Sequence, residues 1–293
     1  MKYVLSTVWI ALILLGCNPS PAAEETNNSN AEKEAAKTET QKIVSLNGTL
    51  TEILFALGKG DQVVGLDVTS TFPAEATDKL PKVGHVRNVQ AEGILSLNPD
   101  VVYAIEGELN PQLQQQLKSA HVDVALFEQE YSPNGTYQLI EAMGTQLNKV
   151  KVAGKIVAEI ESELNTLKTI ESAPKVLFIY ARGAGTLMVA GENTQMDAII
   201  KLAGGQNAVS GFEDFQPLTP EALAAANPDY ILMFSRGAAS LTEDGGVSSI
   251  PGIAQTTAGK NNQIITMDGL KLSGFGPRLG EAAVELNQQF IVE

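Results

Sequence analysis

The chain has 293 residues, of which 44% are hydrophobic, and it carries a formal net charge of -14 at pH 7. This acidic charge argues against binding to nucleic acid and against a basic membrane-binding face. We therefore expect small ligands or other proteins as partners, no nucleic acid, and a monomeric chain.

The N-terminal stretch has the organisation of a secretion signal. Lys2 is followed by an apolar run from Val4 to Leu15, and Gly16 and Cys17 come directly after it. A membrane-spanning helix needs about 20 apolar residues, so this run is too short to span a bilayer. The order of basic, apolar and small residues predicts a signal peptide over residues 1–17.

Cys17, the only cysteine, is the predicted lipid-attachment site. The sequence Leu-Leu-Gly-Cys resembles the lipobox of bacterial lipoproteins, in which cleavage leaves an acylated cysteine as the first mature residue. The alternative is an ordinary secretory signal that contains a cysteine, although a lone thiol is a liability in an oxidising compartment. The resemblance implies a lipid-anchored protein of the cell envelope, either periplasmic or on the outer face of the cytoplasmic membrane.

Residues 18–41 contain no large apolar side chain. Such a segment buries too little apolar surface to offset the entropy that it would lose on ordering, so we predict a disordered tether. A flexible linker of this length reaches roughly 25–30 Å, which would hold a folded domain clear of the membrane.

An internal repeat divides the remaining chain. The segment from Glu92 to Asp100 and the segment from Glu221 to Asp229 both place a glutamate six residues before Asn-Pro-Asp, and an apolar run follows each copy. The repeat predicts two similar lobes, over residues 42–136 and 173–293.

Short and nearly continuous apolar runs predict the strands of both lobes. In chain order they cover residues 42–46, 62–66, 101–105, 122–127, 175–180, a short run near Ala208, 230–234 and 263–267. Helical patterns alternate with these runs, which is typical of mostly parallel sheets covered on both faces.

Apolar residues recur at helical spacing between the lobes, over residues 137–172. This pattern fits one long helix or two helices broken near Asn148. A helix from Val150 to Ile170 would be about 30 Å long and would join the lobes as a stiff strut. The predicted fold class is therefore α/β, with two similar lobes of mostly parallel sheet joined by a long rigid helix.

Motifs of catalysis are scarce in this sequence. It has two histidines, His85 and His121, and it lacks a Gly-x-Ser-x-Gly elbow, a His-Glu-x-x-His motif and a phosphate-binding glycine loop. His121 lies where a predicted helix ends, a position at which the helix dipole favours a histidine. We therefore expect a binding protein rather than an enzyme; an envelope enzyme that uses carboxylates in the cleft is the alternative from another class.

From Lys42 onwards the chain resembles the substrate-binding proteins of bacterial importers for cobalamin, iron-siderophores and haem. The segment Val83-Gly84-His85-Val86-Arg87 is similar to the Val-Gly-Tyr-Met-Arg of haemin receptors, in which the tyrosine binds haem iron. The resemblance implies that His85 binds the iron of haem b, since imidazole is a common axial ligand. Arg87 would then pair with a propionate or contact the iron ligand; its alternative is a solvated surface position.

A second segment, Gly274-Phe275-Gly276-Pro277-Arg278, is similar to the Gly-Phe-Gly-Pro-Arg of haemin receptors. The resemblance implies that Phe275 lies against the porphyrin and that Arg278 serves a propionate. The alternatives are that Phe275 is a core residue and that Arg278 braces the turn.

Glu92 and Glu221 occupy matching positions in the repeat. In the cobalamin receptors that this chain resembles, the matching glutamates dock onto arginines of the permease, one from each lobe. Thr219-Pro220-Glu221 is also a favourable helix start, with a cap, a proline and an acidic residue in the first turn.

As a whole, the resemblance implies a lipoprotein that captures haem and delivers it to an ABC permease and its ATPase. A receptor for an iron-siderophore or for cobalamin is the alternative within the same class. Such a receptor needs aromatic and arginine lining but no side chain that binds iron.

Overall fold

The computed structural model describes residues 41–291 of the chain. The predicted signal peptide, Cys17 and the tether up to residue 40 lie outside the described residues. Within residues 41–291, no helix combines the length and the apolar character needed to cross a membrane.

The first lobe alternates strands and helices along the chain. Its elements are β1 (Ile43–Ser45), α1 (Gly48–Ala56), a short 3-10 helix (Gly60–Gln62), β2 (Val63–Leu66), α2 (Ala74–Thr77), α3 (Ala91–Leu95), β3 (Val101–Ile105), α4 (Pro111–Ser119) and β4 (Asp123–Phe127). The strands form one parallel sheet in the order β2-β1-β3-β4. All residues of the central strand β3 are buried, as expected for a parallel sheet with both faces covered.

Two helices, α5 (Pro133–Gln146) and α6 (Val150–Leu164), connect the lobes. Of the two predicted alternatives, the structure has the broken helix rather than one continuous rigid helix. The break falls at Asn148, whose φ of 56° lies in the left-handed region, where asparagine is one of the few non-glycine residues tolerated. The connection is therefore a pair of packed helices.

The second connecting helix is also shorter than predicted, because it ends at Leu164 rather than at Ile170. The buried side chain of Asn287 accepts the N–H of Lys168 at 2.9 Å and donates to its carbonyl at 3.0 Å. These bonds satisfy the backbone groups of Lys168 outside the helix. The side chain of Asn287 thus holds the chain just beyond the helix end.

The second lobe contains more strands than the first. Its elements are β5 (Lys175–Ala181), β6 (Leu187–Ala190), α7 (Gln195–Leu202), β7 (Gln206–Asn207), β8 (Phe215–Pro217), α8 (Pro220–Ala226), β9 (Tyr230–Phe234), α9 (Ser235–Ala239), three 3-10 helices (Thr242–Asp244, Val247–Ser249, Ile253–Gln255), α10 (Thr257–Lys260), β10 (Ile264–Met267), α11 (Gly269–Ser273) and α12 (Leu279–Gln289). The sheet order is β10-β9-β5-β6-β8, and β7 pairs with β5.

The sequence pattern missed β6 and β8, which extend the second sheet in the antiparallel direction. A tight turn sends β6 back along β5; Gly183 lies in that turn with a φ of 68°, and the N–H of Arg182 bonds the carbonyl of Thr186. Both strands are short and only partly buried, so neither shows a clear strand pattern. The α/β prediction is confirmed, with this antiparallel extension added.

The sequence repeat has a structural counterpart. The asparagine of each Asn-Pro-Asp copy has a positive φ, 48° in the first copy and 37° in the second. The Asp100 carboxylate accepts the N–H of Lys42 at 2.6 Å, and the Asp229 carboxylate accepts the N–H of Lys175 at 2.9 Å. In each lobe this segment therefore anchors the start of the first strand.

One apolar core runs through both lobes. It combines side chains of β1 and β3, of β5 and β9, and of the helices α5, α6 and α12. A separate apolar cluster covers the outer face of each sheet. Because the central core is continuous, separating the two sheets would expose buried apolar surface and is opposed by the hydrophobic effect.

Candidate ligand-binding cleft

A cavity of about 850 Å³ lies between the two lobes. It is lined by Arg87, Glu108 and Tyr131 from the first lobe and by Tyr180, Met188, Glu192, Asn193, Thr194, Gln195, Glu213, Asp214 and Phe215 from the second. The volume falls in the range of about 300–1,000 Å³ that is typical of small-molecule sites. The lining combines aromatic rings, a thioether, amides, acids and one guanidinium.

The first-lobe wall is formed by loops at the carboxyl ends of parallel strands. Arg87 lies in the connection after β2, Glu108 follows β3, and Tyr131 follows β4. Open α/β sheets hold their ligands at this edge because the strand-end loops converge there.

The second-lobe wall is formed around β6 and β8, the strands that the sequence pattern missed. Met188 lies on β6 and Phe215 on β8, while Glu192 follows β6 and Glu213 and Asp214 precede β8. A β-bridge pairs Glu192 with Glu213. Among residues 41–291, no group of three or more histidine, cysteine or acidic side chains is placed to hold a metal ion.

His85 is partly buried and does not line the cavity, although Arg87 does. The Nδ1 atom of His85 accepts the N–H of Arg87 at 3.2 Å. A neutral imidazole with Nδ1 as the acceptor carries its proton on Nε2, so neither nitrogen offers a free lone pair in this conformation. Binding of a metal ion by His85 therefore requires the ring to turn and this hydrogen bond to break.

Tyr131 is the aromatic residue of the first-lobe wall. Its ring packs edge-on against Phe275, with the centroids 5.5 Å apart, and the side chain is 37% exposed. Burial raises the pKa of the Tyr131 hydroxyl; Glu108 acts in the same direction and Arg87 opposes them. The hydroxyl is therefore protonated at neutral pH and can donate a hydrogen bond to a ligand.

Phe275 supports Tyr131 from the core and does not line the cleft. Its side chain is 1% exposed, so the predicted contact with a porphyrin face is not available in this structure. The Thr136 hydroxyl donates to the Phe275 carbonyl at 3.0 Å. A Cβ added at Gly274 would approach the Leu270 carbonyl to 2.5 Å, so only glycine fits there. Of the two alternatives for Phe275, the structure has the core residue.

Arg278 contacts other residues of the protein through its guanidinium. Its Nε and Nη2 atoms donate to the two carboxylate oxygens of Glu52, each at 2.9 Å, and its guanidinium lies 3.8 Å from the centroid of the Phe72 ring. The side chain of Arg278 is 13% exposed and that of Glu52 is 5% exposed. In this conformation the guanidinium is therefore held by Glu52 and Phe72, which fits the alternative that Arg278 braces the turn, and the role with a propionate stays a prediction.

The ionisation of Glu52 reflects two opposing effects. Burial raises the pKa of the Glu52 carboxyl, and the hydrogen bonds and positive charge of Arg278 act against that shift. The guanidinium thus compensates a charge that would otherwise be unfavourable in this environment.

Glu92 and Glu221 are both exposed, in the first turns of α3 and α8. The Thr219 hydroxyl caps α8 by accepting the N–H of Ala222 at 3.1 Å, as the sequence predicts. An exposed carboxylate at such a position complements the helix dipole and is also accessible to a partner.

Several lining residues could have been found from the sequence. Glu108, Tyr131 and Tyr180 lie at or just after the ends of predicted strands, and the strand-end rule points to them. Glu192, Glu213 and Asp214 carried no such signal, because the strands beside them were not predicted.

Two α/β lobes that share a core and line one cleft define a ligand-binding protein. The chain belongs to the periplasmic binding protein family, whose sequence profile matches residues 43–269.

Proteins similar to this chain include a haem-binding and a vitamin B12-binding protein. The periplasmic haem-binding protein RhuT of Roseiflexus sp. RS-1, solved in its apo form, is 40% identical with a TM-score of 0.81, over 85% of this chain and 97% of that chain. The ABC transporter substrate-binding lipoprotein YvrC of Bacillus subtilis is 30% identical, over 95% of each chain. The vitamin B12-binding protein of Vibrio campbellii is 29% identical, over 68% of this chain and 72% of that protein. The family and these relatives support a substrate-binding role in ABC transport.

Proposed function

We propose that this protein captures haem b in the interlobe cleft and delivers it to an ABC permease and its ATPase. The observation that carries the proposal is the cavity of about 850 Å³, lined by aromatic rings, a methionine and an arginine, in a chain 40% identical to a haem-binding protein of the same fold. Aromatic rings pack against a porphyrin face, and a guanidinium matches the geometry of a carboxylate. The role is capture and release, with no chemical step.

His85 is the proposed iron ligand. It lies two residues before Arg87, which already lines the cavity, so a turn of the ring away from the Arg87 N–H would free a nitrogen next to the cleft. Imidazole, phenol and thioether groups all bind haem iron, so the side chains at and around the cleft fit this cargo. Arg87 is the proposed partner of a propionate.

The proposal includes the attachment of the protein to the membrane. A lipid on Cys17, followed by a flexible tether, would hold the receptor near its permease and raise its effective concentration there. The name of the similar Bacillus subtilis lipoprotein supports such an anchor. Glu92 and Glu221, one on each lobe, are the proposed docking residues.

Cobalamin is the second candidate ligand. The second-lobe wall presents three acidic residues and no basic residue to the cavity, which suits a ligand without free carboxylates. The similarity to vitamin B12-binding proteins supports the same alternative.

Titration of the purified protein with haemin tests the proposed function. We expect a shifted Soret band that saturates at a defined stoichiometry, and no comparable saturation with cyanocobalamin. The His85→Ala variant should bind haemin at least about tenfold more weakly, the smallest effect that is usual when a metal site is disturbed.

The matched control is His121→Ala, because His121 is exposed and does not line the cavity. It should bind haemin as the parent does. An unshifted spectrum in the parent would contradict the haem proposal. Unchanged binding by His85→Ala would contradict only the assignment of the iron ligand.

A further inference from the structure

The charges of the cleft are distributed unequally between its two walls. The first lobe contributes Arg87 and Glu108, whereas the second contributes Glu192, Glu213 and Asp214 and no basic side chain. The second lobe does have arginines near its strand ends, Arg182 and Arg236, but they are exposed and neither lines the cavity. The positive charge of the lining is therefore confined to one side.

Two of the second-lobe carboxylates are held in place by neutral donors. Glu213 Oε1 accepts a hydrogen bond from Asn193 Nδ2 at 2.9 Å, and Glu192 Oε2 accepts the N–H of Gly211 at 3.1 Å. In the described part of the chain, no salt bridge involves Glu192, Glu213 or Asp214. Glu192 and Glu213 are thus held in position, and in the described part of the chain no salt bridge compensates the negative charge of the three acids.

Glu192 is half-buried, and Glu213 and Asp214 are exposed at the edge of the cavity. Their negative charge disfavours an anionic group bound beside them, because a bound ligand displaces part of the water that would screen it. We propose that Glu192, Glu213 and Asp214 form a selectivity wall. This wall orients the bound tetrapyrrole with its carboxylate edge towards Arg87 and rejects tetrapyrroles that carry carboxylates on more than one edge. This inference rests on the proposed function.

The chemistry of haem fits such a one-sided cleft. Its two propionates lie on one edge of the ring, and the opposite edge carries only methyl and vinyl groups. With the propionates at Arg87, the apolar edge faces the second lobe, where Phe215 and Met188 line the cavity. A tetrapyrrole with propionates around the whole ring would place at least one of them against the selectivity wall.

The test compares two iron porphyrins, haemin and iron coproporphyrin, which carries four propionates. Both are titrated into the parent and into a triple variant, Glu192→Gln/Glu213→Gln/Asp214→Asn, in which each replacement keeps the size of the side chain. The parent should prefer haemin. In the variant that preference should fall by about tenfold, because like charges in contact are strongly unfavourable. The effect should weaken as salt is added.

The matched control removes the same amount of charge elsewhere. It carries Glu141→Gln, Glu171→Gln and Glu243→Gln, three exposed positions that do not line the cavity. This variant should retain the preference of the parent.

The outcomes separate the two proposals. If the parent binds haemin and the triple variant discriminates between the two porphyrins as the parent does, the selectivity wall is overturned and the haem function stands. If the triple variant and the control lose the preference equally, net charge rather than the wall is responsible, and the inference is again overturned. If the parent does not bind haemin at all, the proposed function itself fails.

Discussion

The ion pair between Glu52 and Arg278 joins helix α1 of the first lobe to the turn that precedes helix α12. Both side chains are largely removed from solvent. Taking two charges out of water opposes folding, so the pair itself adds little net stability. Removing only one partner destabilises the fold, because it leaves the other charge buried and uncompensated. The pair therefore restrains the local geometry more than it stabilises the fold.

The Arg278→Met variant should lower the free energy of unfolding by about 3–5 kcal/mol at neutral pH. Without the guanidinium, burial raises the pKa of Glu52 further above 4.5, the ordinary value for a glutamate. A carboxyl whose pKa is higher in the folded state than in the unfolded state stabilises the fold when it is protonated. The loss in free energy of unfolding, relative to the parent, should therefore be largest at pH values above the raised pKa of Glu52. It should shrink as the pH falls towards 4.5. Urea unfolding of both proteins at pH 8 and pH 5.5 measures this difference.

The double variant Glu52→Gln/Arg278→Met is the control for that experiment. It has no buried charge left at this pair, so it should lose less stability than Arg278→Met at pH 8, and its own free energy of unfolding should lack the pH dependence that Glu52 contributes. Equal deficits for both variants at both pH values would contradict the account of a buried, uncompensated carboxylate.

Local sequence identified the Gly-Phe-Gly-Pro-Arg segment but did not reveal what it contacts. Arg278 pairs with a residue 226 positions earlier, and the Phe275 carbonyl bonds Thr136, 139 positions away. A local motif carries no information about such distant partners. The position of Arg87 could be predicted, because the rule that places ligands at the ends of parallel strands depends only on local order.

At the scale of elements, the first lobe could be predicted almost completely. Its strands are apolar runs in a parallel sheet, and buried parallel strands have the clearest sequence signal. The second lobe departs at β6 and β8, which have only 4 and 3 residues and are too short to show a strand period. The cleft wall depends on these two strands, so half of the candidate site could not be predicted.

The break between helices α5 and α6 provides a test at this scale. Asn148 has a φ of 56°, a conformation that glycine adopts freely and alanine does not. Asn148→Ala should therefore be about 1–2 kcal/mol less stable than Asn148→Gly, whereas a helix interior would favour alanine. Chemical denaturation of the two variants measures the difference. A more stable alanine variant would indicate that the connection is a continuous helix in solution.

At the scale of the whole molecule, each lobe presents one exposed glutamate at a matching position of the repeat, Glu92 and Glu221. Neither glutamate lines the cleft. Docking and ligand binding should therefore be separable by mutation.

The variant Glu92→Ala/Glu221→Ala should retain the affinity of the parent for haemin while uptake into cells that make the importer falls strongly. The reason is that each lobe loses the charge that would pair with a permease arginine. Haemin titration and a cellular uptake assay measure the two properties. Glu141→Ala, at an exposed position on α5, is the control and should support normal uptake. Normal uptake by the double variant would exclude these residues as docking sites.

The segment around Gly274 lies near the end of the chain but contacts the first lobe, and this affects the order of folding. The Gly274 carbonyl accepts hydrogen bonds from Thr49 at 2.6 Å and Gln129 at 2.8 Å, and these partners precede it by 225 and 145 residues. Contacts between such distant positions form slowly, because a long loop must close first. The first lobe, although made first, therefore acquires its last partners only after most of the second lobe has been synthesised. A chain interrupted before residue 274 would leave Glu52 without its guanidinium and the Tyr131 ring without support, and it would remain a substrate for proteases and chaperones.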